Sequence, residues 1–301
     1  MDGSPCLFVL HHKENKQACL LFCRADATVL GMADLDALLA DLRAEGDALD
    51  ALVTDAGEEG WRSDTPAAGW TVAHQIAHLH WTDHVAALTT AGAGGDEEAT
   101  TAFDAVIADA WGNPESFVDT AAAELAAEQT STLLSRWRLG RTQLLDVLPH
   151  VPAGVKIRWF GPPMSAASMA TARIMETWAH GQDVADALGV VREPTDRLRH
   201  VAHIGVRTRD FAYAVRDIPA PTAPFRVELA APGGDVWTWG PEDAEQRVTG
   251  TALDFCLLVT QRIHRDDTDL TAVGDDASTW LTLAQAFAGA PGNGRAKRVA
   301  S

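Results

Sequence analysis

Between Ser165 and Gly189 the chain carries a long helical pattern in which Glu176 and His180 stand four residues apart. No other feature constrains the fold as much. Residues i and i+4 of a helix share one face, one turn apart. A carboxylate and an imidazole so placed supply two ligands for a zinc-type ion, and one imidazole from a facing helix makes three. Three protein ligands leave a coordination position open, which separates a catalytic metal from a structural one. The chain must therefore set a second, histidine-bearing helix against this one, and it reads as a metalloenzyme.

The patterning supplies such partners. A first helix is expected over about 34–55, with Leu35, Leu38, Leu39, Leu42 and Leu49 on an apolar stripe. A second is expected from near Trp70-Thr71 to about Thr90, closed by Gly92-Ala93-Gly94-Gly95, with a short helix over 96–111 after it. A third is expected from Pro114-Glu115-Ser116 to about Val147, before Pro149 and Pro152. The fourth runs from about Ser165 to Leu188 and stops at Gly189. Four long helices joined by loops describe an antiparallel bundle over 32–190, the architecture in which facing helices build metal sites.

At 301 residues the chain exceeds one typical core, so a second domain is expected, over 191–290. It opens with a helix from about Pro194 to Asp217. Phe225–Leu229 then alternates apolar and polar, and Asp235–Trp239 can pair with it across Pro232-Gly233-Gly234. Gln246-Arg247-Val248 offers a third strand, and helices near 251–264 and 276–289 complete an α+β domain. The fold class is therefore α plus α+β. The Gly-rich, basic tail 291–301 reads as disordered.

The formal net charge is −18, which argues against a nucleic-acid partner, and no apolar run approaches the ~20 residues of a membrane helix. Abundant alanine with arginine in place of lysine suggests a GC-rich, actinobacterial source. Residues 1–31 look foreign to the body: they hold Cys6, Cys19 and Cys23, three of the four cysteines, and lack the features of a secretory signal. They read as a disordered extension, with Met32 as a natural start. His11, His12, Cys19 and Cys23 match no common zinc spacing. Only Cys256 lies in the body, so a reducing cytoplasm fits.

The second helix carries His74, His78, His80 and His84. His74 and His78 share a face, and His80 and His84 share another. On physical grounds His74 and His78 are near-equal candidates for the third ligand.

Trp70-Thr71-Val72 followed by Ala77-His78-Leu79, and Glu176-Thr177-Trp178-Ala179-His180-Gly181-Gln182-Asp183-Val184, resemble the mycothiol-dependent maleylpyruvate isomerase family, part of the DinB/YfiT-like metal-binding four-helix bundles. The resemblance spans about Met32 to 290, with a sterol-carrier-like C-terminal domain. It implies that His78, Glu176 and His180 bind the metal, zinc or another divalent first-row ion. His74 would then line the pocket. Asp183, three residues beyond His180, could orient a ligand imidazole.

A metal-bound thiol is deprotonated, and a metal-bound water is acidified toward neutrality. The resemblance implies the thiol: mycothiol adding to an electrophilic small molecule, as an isomerase or an S-transferase. A carboxylate-bearing substrate would need cations, for which Arg207, Arg209, Arg262 and Arg158 are the candidates. Arg207 and Arg209 diverge by about 200° on a helix, so only one of them can face a pocket. Two other readings stay open at this point. One is a thiol-independent lyase, cyclase or hydrolase of a biosynthetic pathway; the other is a metal-stabilised protein that binds a small ligand, with either a monomer or a dimer allowed.

Overall fold

The computed structural model describes residues 35–113, 116–287, 289, 291–292 and 294–298. The readings made above for 1–31, for a start at Met32 and for Pro114-Glu115 lie outside the described residues. The chain divides into two compact units, the first ending at Arg192 and the second starting at Glu193.

In the first unit α1 (Leu35–Asp55) buries Leu38, Leu42, Leu49 and Val53 along one stripe, as its spacing requires. A short α2 (Gly57–Trp61) leads to α3 (Val72–Ala93). Against α3 pack α4 (Glu97–Gly112), α5 (Phe117–Ala126), α6 (Thr130–Val147) and α7 (Ala166–Leu188). Surrounded in this way, α3 buries residues on every side, including Val72, Ile76, Leu79 and Val85. Leu49, Val53, Ile76, Leu79, Leu133, Trp137 and Val184 form one core cluster, joining α1, α3, α6 and α7. Leu38, Leu42, Leu144, Leu148, Met169 and Ile174 form another. Each such side chain contributes roughly 1.5–3 kcal/mol through burial, so the bundle is held mainly by these contacts.

The expected third helix is two helices. Residues 127–129 break it, and Gln129 is extended at φ −62°, ψ 134°. The break lets two short faces lie on α3 at different places: Phe117, Val118 and Ala122 pack with Trp70, while Leu133 and Trp137 pack with Ile76 and Leu79. Helix α7 matches its expected bounds. Ser165 Oγ accepts from Ser168 N at 3.2 Å, and Gly189 ends the helix in the left-handed region at φ 67°.

In the second unit the expected helix over 194–217 is also two, α8 (Leu198–Arg207) and α9 (Arg209–Ala214). At the joint, the Thr208 hydroxyl donates to the carbonyl of Gln285 at 2.7 Å and lies 3.0 Å from that of Ile204. Strands β1 (Phe225–Ala230), β2 (Val236–Trp239), β3 (Gln246–Thr251) and β4 (Thr271–Val273) form one sheet in the order β2-β1-β3-β4. The β1–β2 hairpin is the expected one, with Leu229 opposite Trp237. β3 runs parallel to β1, and α10 (Ala252–Val259) leads away from its end; α11 (Asp275–Leu283) follows β4. Near the C-terminus Lys297 Nζ donates to Asp266 Oδ2 at 2.9 Å and the backbone N–H of Arg298 donates to Asp267 Oδ2 at 2.7 Å, one ion pair and one neutral donor that tie residues 297–298 to the turn at 265–267.

Candidate metal centre

α3 begins where Thr71 leaves the helical region, at φ −91°, ψ 174°. The entry is fixed by Val72 N donating to Ser63 O (3.1 Å) and Thr65 N donating to Trp70 O (2.8 Å). In the first turn His74 Nδ1 accepts from the backbone N–H of Thr71 at 3.3 Å and lies 2.8 Å from its hydroxyl. His74 is therefore a capping residue, standing where a capping box places Glu or Gln. Burial pushes its pKa down, opposed by nearby Asp119.

One turn on, His78 faces α7 and meets the pair named from its spacing. Glu176 Oε2 lies 3.3 Å from His180 Nε2 and 3.9 Å from His78 Nε2, and a donor atom from each residue lies within 4.8 Å of the others. Ligands about 2.1 Å from a tetrahedral ion stand about 3.4 Å from one another, so these separations suit a single ion. The His78 and His180 side chains are buried, at 3 % and 4 % exposure, while the Glu176 side chain keeps 18 %.

The hydrogen bonds fix which nitrogen of His180 carries a proton. Thr65 Oγ1 donates to Trp70 O at 2.7 Å, so it accepts from Gln75 Nε2 at 2.9 Å. That orients the Gln75 amide with its oxygen 2.5 Å from His180 Nδ1, which must be the donor. The Nε2 lone pair of His180 then faces the Glu176 carboxylate. Two acceptors face to face require a proton or a cation between them, and His78 Nδ1 is buried with no hydrogen-bond partner among the described residues. This donor set fits a borderline-soft divalent ion. Burial pushes Glu176 up, but the hydrogen bonds and charge that protonated His180 and His78 imidazoles would supply, with the charge of Arg173, outweigh it and hold the carboxyl well below its usual range.

Trp70 walls the triad. Its ring centroid is 5.4 Å from that of His78 and 6.1 Å from that of His180, and its indole N–H donates to Asp119 Oδ1 at 3.2 Å. Burial raises the pKa of Asp119, with the Trp70 bond and the charges of His78 and His74 acting in the opposite direction.

Gln75 is the partner of His180 Nδ1, and Asp183, expected to orient a ligand imidazole, is buried at 3 %. Sequence reasoning missed Gln75, although a lone amide among Val72, Ala73, Ile76, Ala77 and Leu79 was a signal. Arg158 pairs with Asp104 at 2.8 Å and lies over the Phe103 ring. Arg207, Arg209 and Arg262 belong to the second unit. Arg209 is bound to Asp210 at 2.6 Å and stacks on Phe225, and Arg262 donates to Thr260 O at 2.5 Å.

The first unit is thus a helical bundle with a His/Glu/His donor triad between two of its helices. The sequence model described as the mycothiol maleylpyruvate isomerase N-terminal domain matches residues 42–185, and one described as wyosine base formation matches 221–273. Two uncharacterized Mycobacterium tuberculosis proteins, Rv0036c and MT0041, are each 58% identical over 264 residues, covering 88% of this chain and all of theirs. Crystal structures of the mycothiol-dependent maleylpyruvate isomerase and of a histidine-to-alanine mutant of it share the fold. Their TM-scores are 0.54 and 0.55 at 15% identity, over 79% of this chain and 92% of theirs. Residues 42–185 belong to the mycothiol maleylpyruvate isomerase N-terminal domain family, and the chain as a whole belongs with the two mycobacterial proteins.

Proposed function

We propose that this protein is a metal-dependent enzyme that uses a low-molecular-weight thiol, mycothiol, to act on an electrophilic small molecule, as an isomerase or an S-transferase. The reading rests on one observation above the rest: His78, Glu176 and His180 bring three donor atoms together, in a domain whose sequence model names mycothiol. These three residues would hold the ion, with zinc the best match to an N/N/O set. When bound, the metal supplies Lewis acidity that keeps a coordinated thiol as its nucleophilic thiolate near neutral pH.

The chain's own residues prepare that site. Gln75 holds the His180 proton on Nδ1 and so presents Nε2. Trp70 keeps water from the imidazole faces, and its bond to Asp119 holds the ring in place. No helix among the described residues is long and apolar enough to cross a membrane, which suits a cytoplasmic enzyme acting on soluble substrates.

Cobalt(II) in place of zinc gives the decisive test. Adding mycothiol to the cobalt form should produce sulfur-to-cobalt charge-transfer absorption, and His180→Ala should abolish it. A cobalt form that binds no thiol would replace this reading with a thiol-independent lyase, cyclase or hydrolase.

A further inference from the structure

The two helices that carry the triad meet a second time, through charge. Asp83 lies five residues after His78 on α3, and Arg173 lies three before Glu176 on α7. Arg173 Nε donates to Asp83 Oδ1 at 2.9 Å, and Nη2 donates to Thr82 Oγ1 at 2.7 Å. The Thr82 hydroxyl in turn donates to the backbone carbonyl of His78 at 2.8 Å, so the chain of bonds ends on the ligand residue itself. Arg173 is 2 % exposed and Asp83 3 %.

Such a pair is a poor way to stabilise a core. Removing two charges from water is expensive, and apolar residues of the same volume commonly hold two helices as well or better. What apolar side chains do not supply is direction. The guanidinium fork is planar and rigid, and it is satisfied only when α7 stands at one height and one rotation against α3. A slip of one residue displaces α7 by about 1.5 Å and turns it by about 100°, which would carry Glu176 and His180 away from His78. A metal site tolerates displacements of only about 0.2–0.5 Å.

We infer that Arg173, with Asp83 and Thr82, forms a positioning cluster that sets the register of α7 against α3 and so holds His78 in place against Glu176 and His180. The inference rests on the metal reading above.

The test replaces both charges at once. In Arg173→Met the carboxylate of Asp83 is left buried without its counter-ion, and lost stability would mask any other effect. Arg173→Met/Asp83→Leu removes that penalty and should fold with wild-type or greater resistance to denaturant. Zinc affinity by chelator competition and the cobalt(II) d–d spectrum are then compared with the wild type. The expected result is a folded double variant whose zinc affinity falls about tenfold or more and whose cobalt bands shift. A folded double variant with wild-type affinity and spectrum overturns the inference. Should the double variant not fold, Arg173→Lys keeps the charge and removes the fork. It should show the same loss in affinity, and wild-type binding by that variant overturns the inference equally. A wild-type chain that binds neither zinc nor cobalt overturns the metal reading instead, and this inference with it.

Discussion

Replacing Gln75 with Leu separates the orientation of His180 from its mere presence. The side chain is fully buried and makes two bonds, accepting from His180 Nδ1 at 2.5 Å and donating to Thr65 Oγ1 at 2.9 Å. Leu has nearly the same volume, so no cavity opens. Thr65 keeps its own donation to the Trp70 carbonyl and loses only an incoming bond. The Nδ1–H of His180 becomes a buried donor with no acceptor, at a cost of about 1–3 kcal/mol. His180 can then place its proton on Nε2, toward Glu176, and withdraw the lone pair a metal needs. Loss of a partner that orients a ligand histidine weakens metal binding by about 10–100-fold, or about 1.4–2.7 kcal/mol. Competition titration against a zinc chelator measures this directly, with far-ultraviolet circular dichroism to confirm folding. Gln75→Glu, whose carboxylate accepts the same proton, should bind zinc at least as tightly as the wild type. A folded Gln75→Leu variant with wild-type zinc affinity would refute the reasoning.

In the second unit, burial first and then the charges of Arg207, His200 and Arg199 lower the pKa of His203 from 6.5 to about 4. His203 accepts from Trp239 Nε1 at 3.3 Å and is neutral when folded. As pH falls from 6.5 toward 4 the unfolded chain takes up the proton first, so stability present above 6.5 is lost across that window. His203→Gln keeps an acceptor and should remove about 1–2 kcal/mol of that acid sensitivity at about pH 4.5, as read from denaturant midpoints; an unchanged pH slope would count against it. Gly189→Ala forces a side chain into φ 67° at the end of α7 and should destabilise the first unit by about 1 kcal/mol, with metal content unchanged. Equal thermal midpoints for that variant and the wild type would contradict the left-handed cap.

Glu176 and His180 were readable because their relation is local. Four residues on a helix bounded by a serine cap and a glycine stop place two side chains on one face, whatever the rest of the chain does. The β1–β2 hairpin was readable for the same reason. His78 over His74 was not settled by spacing and came from resemblance; the fold shows why His74 differs, since its Nδ1 caps α3. The breaks at 127–129 and Thr208 were missed because neither carries a proline or glycine. Packing onto α3 accompanies the first, and a carbonyl contributed by Gln285 the second. Arg173 and Asp83 stand 90 residues apart, and no periodicity links residues at that distance. In the sequence Arg173 stands beside Ala170 and Ile174, which the fold buries with it.

The central claim is that His78, Glu176 and His180 together hold one divalent metal ion. Metal analysis of the purified chain, beside His78→Ala and His180→Ala variants of unchanged helical content, tests it most directly. About one zinc or other first-row ion per wild-type chain is expected, and close to none in either variant. A folded wild-type chain that takes up no metal from excess zinc(II), or a His180→Ala chain that keeps a full equivalent, would contradict it.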